Sequence, residues 1–241
     1  LTTSCLALAL LFGIGGASCF NLTMGEGNRE KAAYYIGNAV SMLFLCGLAL
    51  CLITQLFLTS LLKFFGAPQD VLPYAQEYVR ITALGFPFLL LTTGGGHLIR
   101  ADGNPRMTMI CNLTGAIINT VLDALFVMVF QMGMAGAALA TVIGQVISAV
   151  IVICYLYHFK TVPLEKKHLI VNMEYTGKIA SIGAASFFNQ LAMMVVQIVL
   201  NNSLKHYGAL SIYGEAIPIA CAGIVMKVNQ VFFSIVIGIG Q

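Results

Sequence analysis

The sequence is poor in charged residues, which make up 9% of its 241 positions, whereas 59% are hydrophobic. A soluble domain carries about 25% charged residues. The mean hydropathy is +0.91. A soluble protein of this length has no core large enough to bury so much apolar surface. These values exclude a soluble fold and predict an integral membrane protein.

Clusters of basic residues are also absent, and the net charge is only +3, which excludes a nucleic-acid-binding surface. The seven cysteines stand singly, without a C-x-x-C pair or a cysteine–histidine group. This pattern is typical of small apolar residues in helices rather than of metal sites or disulfides. No nucleophile triad, phosphate-binding loop or metal-ligand spacing is present. The sequence therefore predicts neither an enzyme nor a protein with a cofactor.

Long apolar runs are what the sequence has instead. A bilayer core of about 30 Å needs roughly 20 residues of apolar helix. Seven segments meet this length: 1–24, 32–62, 78–99, 107–130, 134–158, 176–204 and 209–241. They predict an all-α, polytopic membrane helix bundle. Because both ends of the chain lie inside apolar runs, we expect it to be an internal part of a longer protein.

One connector is longer than the others and breaks at Pro163. It predicts an N-terminal lobe over 1–158, an inter-lobe linker over 159–175 and the start of a C-terminal lobe over 176–241; an ordinary loop is the alternative. Eight Lys and Arg residues lie on the odd-numbered connectors and their flanks, against three on the even-numbered ones. The positive-inside rule then predicts that loops 25–31, 100–106 and 158–175 are cytoplasmic.

A carboxylate within the fourth span, Asp123, is the main functional signal. Asn119 lies four residues before it and Asn112 seven residues before that, so the three side chains share one helix face. A charged residue inside a span costs about 2.5–3.5 kcal/mol and usually faces a bundle interior or a wet cavity. A buried carboxylate can take up a proton or bind a hard cation. The alternative is a structural hydrogen-bond cluster between helices.

The next span carries Thr141 and Gln145, and a tight turn makes it the antiparallel neighbour of the fourth span. Thr141 is therefore expected to face Asp123, unless its hydroxyl bonds only to its own helix. A second polar group on the last two spans lines a further half-cavity or forms packing contacts; its members are Asn189, Gln190, Gln197, Asn201 and Lys227.

Several of these stretches together resemble the multidrug and toxic compound extrusion (MATE) family of cation-coupled exporters, in its MepA-like and DinF-like branch. They are GEGNREKA, GAPQDVLPYAQEYVRI, RADGNPRMTMICNLTGAIINTVLDALFV, GMAGAALATVIGQ, NNSLKHYGALSIYGEAIPIACAGIV and FFSIVIGIGQ. The resemblance covers nearly the whole chain. It implies two six-helix lobes that form a V around a central cavity, of which this chain would hold helices two to eight.

The resemblance also implies a cation site in the N-terminal lobe. By position its residues would be Asn119, Asp123, Thr141, the carbonyl of Ala137 and, nearby, Tyr78. If sodium is the coupling ion, the side chains of Asp123, Asn119 and Thr141 are the expected ligands. The family site includes an acidic residue on the first helix, which this sequence does not contain. Some branches have a Glu on helix seven where this chain has Asn189 and Gln190.

The function that the resemblance implies is an antiporter in the cytoplasmic membrane of a bacterium. Inward H⁺ or Na⁺ would drive out organic, often cationic, drugs or toxins, and the transporter would be monomeric. This chain alone is not expected to function. A flippase for lipid-linked oligosaccharides is the alternative. It would be expected to carry several basic residues in its cavity, and in this sequence only Lys227 qualifies. A seven-helix receptor fits only the number of spans. A passive channel lacks a ring-forming charged repeat.

Overall fold

The computed structural model describes residues 2–65, 71–210 and 216–240. Within these ranges its ordered elements are helical, which confirms the predicted all-α membrane fold. The α-helices of these ranges, α1 to α9, are Thr2–Gly25, Arg29–Leu56, Leu58–Phe64, Leu72–Thr82, Phe86–Ala101, Pro105–Asp123, Gly133–Tyr157, Met173–Ala209 and Ala216–Gly240. Short 3-10 turns occupy Ala83–Gly85 and Lys166–Leu169, and a π-helical turn occupies Ala124–Val129.

Six segments of the described chain are long and apolar enough to cross a membrane, and they match the first six predicted spans. The predicted span 32–62 divides at Phe57 into α2 and α3, and the third span begins earlier than predicted, at Leu72. The predicted seventh span contains α9, in which Ile217–Phe232 is an apolar stretch. Residues 211–215 and 241 of that span, and 66–70 of the second connector, lie outside the described residues.

Close contacts at glycine hold the spans together. A Cβ atom on Gly13 of α1 would lie 2.7 Å from the Cα of Gly94 on α5. A Cβ atom on Gly15 would overlap the carbonyl oxygen of Ile179 on α8. Apolar helices gain no hydrophobic energy from each other in lipid, so van der Waals contact of this kind holds the bundle.

Helix α5 lies at the centre of the first five spans, where it packs against α1, α2, α6 and α7. Its side chains Leu90, Leu98 and Ile99 are fully buried. The core therefore forms around one helix, and the pair α6 and α7 packs along it. This pair carries the polar residues of the fourth and fifth predicted spans.

The segment predicted as a linker is held at its start by Asp102, which lies in the turn between α5 and α6. The carboxylate of Asp102 accepts hydrogen bonds from the Tyr155 hydroxyl at 2.7 Å and from the backbone N–H groups of Lys160 and Thr161, both at 3.1 Å. The hydroxyl of Thr161 donates to the same carboxylate. One side chain thus binds the end of α7 and the first linker residues.

The other end of the segment is held by α2. The backbone N–H of Asn172 donates to the side-chain oxygen of Asn38 at 2.6 Å, and the Ser41 hydroxyl donates to the carbonyl of Leu169 at 2.6 Å. Between these contacts the ring of His168 packs edge-on against Tyr34, with the centroids 4.7 Å apart. The segment is consequently an ordered part of the fold.

Backbone contacts divide the chain into two compact units. One comprises Leu1–Leu58 and Glu77–Met194, and the other comprises Thr59–Gln76 and Val195–Gln241. The first contains α1, α2, α5, α6, α7 and the linker segment, together with the first part of α8. The separate proposal of two lobes joined by residues 159–175 stays a prediction.

Candidate functional site

The candidate site lies between α6 and α7, which are joined by a tight connection. The π-helical turn follows Asp123 directly, with the N–H of Phe130 bonded to the carbonyl of Leu125 at 3.0 Å. Gln131 and Gly133 then adopt positive φ angles of 53° and 58°, which reverses the chain into α7. Turns of the π type are rare and occur frequently at functional sites.

Two glycines bring α6 and α7 into close contact at the level of Asn119. A Cβ atom on Gly144 would lie 2.9 Å from the carbonyl oxygen of Gly115 and 3.1 Å from the Cβ of Asn119. The Ser148 hydroxyl donates across the same interface to the carbonyl of Cys111 at 2.9 Å. The two backbones are therefore held at a short, fixed separation beside the polar side chains.

Asn119, Thr141 and Ala137 form a connected chain of hydrogen bonds, as the sequence grouped them. The amide nitrogen of Asn119 lies 3.4 Å from the Thr141 hydroxyl, which donates to the carbonyl of Ala137 at 2.9 Å. This orientation turns the amide oxygen of Asn119 away from Thr141. A carbonyl oxygen has two lone pairs, so the Ala137 carbonyl keeps one acceptor position.

Asp123 lies one helical turn beyond Asn119 on the same face. Its side chain is partly buried, and its Oδ1 atom is inaccessible to solvent and has no hydrogen-bond partner in the described part of the chain. A buried acceptor without a partner costs about 1–3 kcal/mol, and more when the group is charged. A proton or a cation at this oxygen would remove that cost.

A cavity of about 230 Å³ opens beside Asn119 and Thr141, and its described lining does not include Asp123 or Ala137. Four of the residues predicted from the sequence, Asn112, Asn119, Thr141 and Gln145, line it. The remaining lining residues are Leu89, Thr92, Gly115, Ala116, Gly144 and Ser148. The polar face of α6 and that of α7 thus meet at one cavity.

Thr92 and Ser148 also line this cavity, although neither was predicted from the sequence. The signal for Ser148 was present, because residues 141, 145 and 148 follow the i, i+4, i+7 spacing of one helix face. Thr92 lies on α5, where its hydroxyl donates to the carbonyl of Phe88 at 2.9 Å. The sequence carried no signal that α5 reaches this cavity, since that depends on packing.

Gln145 and Tyr78 are two further residues that the sequence predicted for this region. The side-chain oxygen of Gln145 is buried against Gly85 and has no hydrogen-bond partner among the described residues. Tyr78 lies on α4 and is partly buried. In the described ranges no hydrogen bond joins its side chain to Asn119, Asp123 or Thr141. Its predicted role at the cation site stays a prediction.

The second polar group divides between the two compact units. Asn189 and Gln190 lie on the part of α8 in the first unit, where Asn189 is exposed. In the second unit, the Gln197 amide donates to the side-chain oxygen of Asn201 at 3.1 Å, and Asn201 lies 3.5 Å from the carbonyl of Phe65. Lys227 on α9 is exposed, and none of the ion pairs found in the described ranges includes it. Their predicted role in a substrate cavity is untested by these contacts.

Comparison with known proteins identifies relatives along the chain. Residues 1–125, just over half of the chain, match the profile of the MatE family. The multidrug export protein MepA of Staphylococcus aureus (strain NCTC 8325 / PS 47) is 28% identical over 212 residues, which cover 87% of this chain and 47% of MepA. MepA of Staphylococcus haemolyticus (strain JCSC1435) shows the same identity and coverage. The chain spans about half the length of the curated relatives it matches.

Solved structures show the same fold. An outward-facing multidrug resistance MATE family transporter of the MOP superfamily superimposes with a TM-score of 0.81 at 22% identity, covering 95% of this chain and 50% of that one. A MATE structure in the bent conformation gives a TM-score of 0.78 at 21% identity, with the same coverage. With the six apolar spans, these relatives identify a multi-pass protein of the bacterial cytoplasmic membrane. The family profile and the helical fold agree, and the chain belongs to the MatE family.

Proposed function

We propose that the complete protein is an ion-coupled antiporter that exports small organic compounds, many of them cationic, and that H⁺ or Na⁺ binds at Asp123. The names of the staphylococcal relatives, which are multidrug export proteins, support the export of drugs. The site is proposed to use no cofactor beyond the coupling ion, and the transporter is proposed to act as a monomer. Residues 25–31, 100–106 and 158–175 would face the cytoplasm.

The observation that carries this proposal is the buried Oδ1 atom of Asp123, which lacks a hydrogen-bond partner among the described residues. One helical turn away, the hydrogen-bonded group of Asn119, Thr141 and Ala137 contains oxygen atoms of three kinds: an amide, a hydroxyl and a backbone carbonyl. Sodium prefers oxygen ligands, as hard cations do. A proton would instead neutralise the carboxylate directly. Both ions would relieve the same burial cost.

The proposed coupling follows from that cost. Suppose that an ion binds Asp123 more tightly in one conformation of the transporter than in the other. Its binding then shifts the conformational equilibrium toward the tighter-binding conformation, by the difference between the two binding free energies. The π-helical turn Ala124–Val129 begins at the residue after Asp123. A change in the charge of the carboxylate would therefore act next to an irregular part of the helix. Neutralised Asp123 would allow α6 and α7 to repack, and a transporter would alternate its access in this way.

The experiment uses vesicles that contain the full-length parent protein, loaded with a cationic dye and given an imposed proton or sodium gradient. Asp123→Asn keeps the side-chain shape but removes the charge. We expect this variant to lose gradient-driven efflux and to retain dye binding. The gradient that drives efflux by the unmodified protein, of protons or of sodium, identifies the coupling ion. Full coupled efflux by Asp123→Asn would refute the proposal and indicate a structural role for the polar face.

A matched pair of threonine variants tests the cluster around the carboxylate. Thr141 and Thr120 both donate to the carbonyl four residues earlier at 2.9 Å, but of the two only Thr141 also accepts a hydrogen bond from the Asn119 amide in the described structure. Thr141→Val is expected to raise the ion concentration needed for half-maximal efflux about tenfold, since it loses one oxygen ligand and both hydrogen bonds of the hydroxyl. Thr120→Val should leave that concentration unchanged. Equal effects of both variants would contradict the assigned site.

A further inference from the structure

A second, larger cavity lies in the first compact unit, away from the polar site. Its volume is about 500 Å³. It is a groove between α2 and α7 on the surface of α5. Phe44 and Leu45 of α2 form one side, Leu91 of α5 lies at its base, and Ile153 and Tyr157 of α7 form the other side. The groove lies within the segments that cross the membrane.

The linker segment closes one end of this groove. Leu164, Leu169 and Val171 add apolar side chains to its wall, and Glu165 stands at the same end. Ser41 also lines the groove, and its hydroxyl already donates a hydrogen bond to the carbonyl of Leu169. The groove therefore offers an apolar interior, with its charge at the end where the linker lies.

The linker has the character of a segment at a membrane surface. Leu169, Ile170, Val171 and Met173 are between 37% and 83% exposed. The same segment carries lysines at positions 160, 166 and 167. Apolar side chains beside basic residues are typical of segments that lie at the boundary between lipid headgroups and acyl chains. The exposed sides of the groove, Phe44 at 44% and Leu45 at 48%, would face the acyl chains.

A basic side chain lies next to Glu165, the charged residue in the described lining of the groove. The Lys167 ammonium lies 3.0 Å from the carboxylate of Glu165, and both side chains are about half exposed or more. A surface ion pair of this kind is screened by solvent and contributes little to stability. Lys167 can therefore turn to another anion at little cost. A phosphate beside it would be positioned directly over the apolar groove.

The lining of the groove indicates its occupant. The side chains are apolar apart from Ser41, Glu165 and the hydroxyl of Tyr157, and most of them lie on segments long and apolar enough to cross the membrane. Acyl chains are the apolar groups that the hydrocarbon core of a bilayer supplies to such a surface. From these observations we infer that the groove binds a phospholipid, with one acyl chain between α2 and α7 and its phosphate beside Lys167.

The test is native mass spectrometry of the full-length parent, purified in a mild detergent, with and without added phospholipid. Leu45 and Leu48 lie one turn apart on α2 and are 48% and 43% exposed, but only Leu45 lines the groove. The unmodified protein is expected to retain one phospholipid. Leu45→Trp fills the groove and should reduce the lipid-bound fraction at least tenfold, whereas Leu48→Trp should keep it.

A second pair of variants tests the phosphate contact. Lys167 and Lys178 both form surface pairs with a glutamate, at 3.0 and 3.5 Å, and their side chains are 49% and 53% exposed. Lys167→Gln should weaken lipid retention several-fold, and Lys178→Gln should not. The inference is overturned if the unmodified protein retains no phospholipid, as expected if another part of the chain fills the groove. Equal retention by Leu45→Trp and Leu48→Trp also overturns it. These readouts are independent of transport.

Discussion

Replacing Asp102 by asparagine is expected to release the start of the linker from the end of α5. The carboxylate accepts four hydrogen bonds, two on each oxygen. Asparagine keeps one acceptor oxygen and presents an NH₂ group to the other two donors, so at least two bonds are lost. Hydrogen bonds to charged groups contribute about 1.5–3 kcal/mol each. Because this site is only partly buried, water replaces some of that energy, and we expect a loss of about 2–3 kcal/mol.

The assay is hydrogen exchange at the two backbone amides that bind Asp102 directly, those of Lys160 and Thr161. At about 1.4 kcal/mol for each factor of ten, Asp102→Asn should speed their exchange roughly 30- to 140-fold in the full-length parent. Glu174→Gln is the control, since it removes only an exposed pair with Lys178 at 3.5 Å and should leave both amides unchanged. Unaltered protection in Asp102→Asn would refute the assigned anchor.

Two further predictions concern packing and charge. Gly15→Val should lower the melting temperature, because the valine side chain would overlap the carbonyl of Ile179 and overpacking costs about 1–3 kcal/mol. A Cβ atom on Gly177 would meet nothing within 4 Å, so the control Gly177→Ala should raise the melting temperature slightly. The hydrogen bond and the positive charge of Lys167 lower the pKa of Glu165. Their contact therefore stabilises the fold at pH values above the ordinary carboxyl pKa, and this stabilisation is lost as the pH falls through the lowered pKa of Glu165. NMR titration should show the pKa of Glu165 rising in Lys167→Gln; an unmoved value would contradict the pairing.

The sequence predicted the spans and the polar face of α6 because both depend on patterns along one helix. The contact between Asn119 and Thr141 follows from the tight turn that makes α7 the antiparallel neighbour of α6, whereas Ala137 was expected from the family resemblance alone; the role of all three in a cation site stays a prediction. The lining residue Thr92 was missed because its place beside α6 depends on how α5 packs. The π-helical turn Ala124–Val129 has no marker such as proline, so periodicity alone predicted a continuous helix there.

The boundaries of the second and third spans were missed for a similar reason. The break at Phe57 falls within a predicted span where no proline or glycine marks it, and the N–H of Phe57 still bonds to the carbonyl of Ile53 at 3.0 Å. Contacts between segments that are far apart in the chain could not be predicted from the sequence either. Asp102 and Thr161 are 59 positions apart, and nothing in either neighbourhood indicates the other.

The two anchors of the linker set a limit on how far this segment can extend. It is bound at Thr161 by Asp102 and at Leu169 by Ser41, which leaves seven residues between the bound positions. Fully extended, seven residues span at most about 25 Å, and two of them, Val162 and His168, are themselves buried. A segment that is anchored at both ends and buried at two of its positions is expected to move together with the helices that hold it. A displacement of α7 would then reach α2 through these anchors.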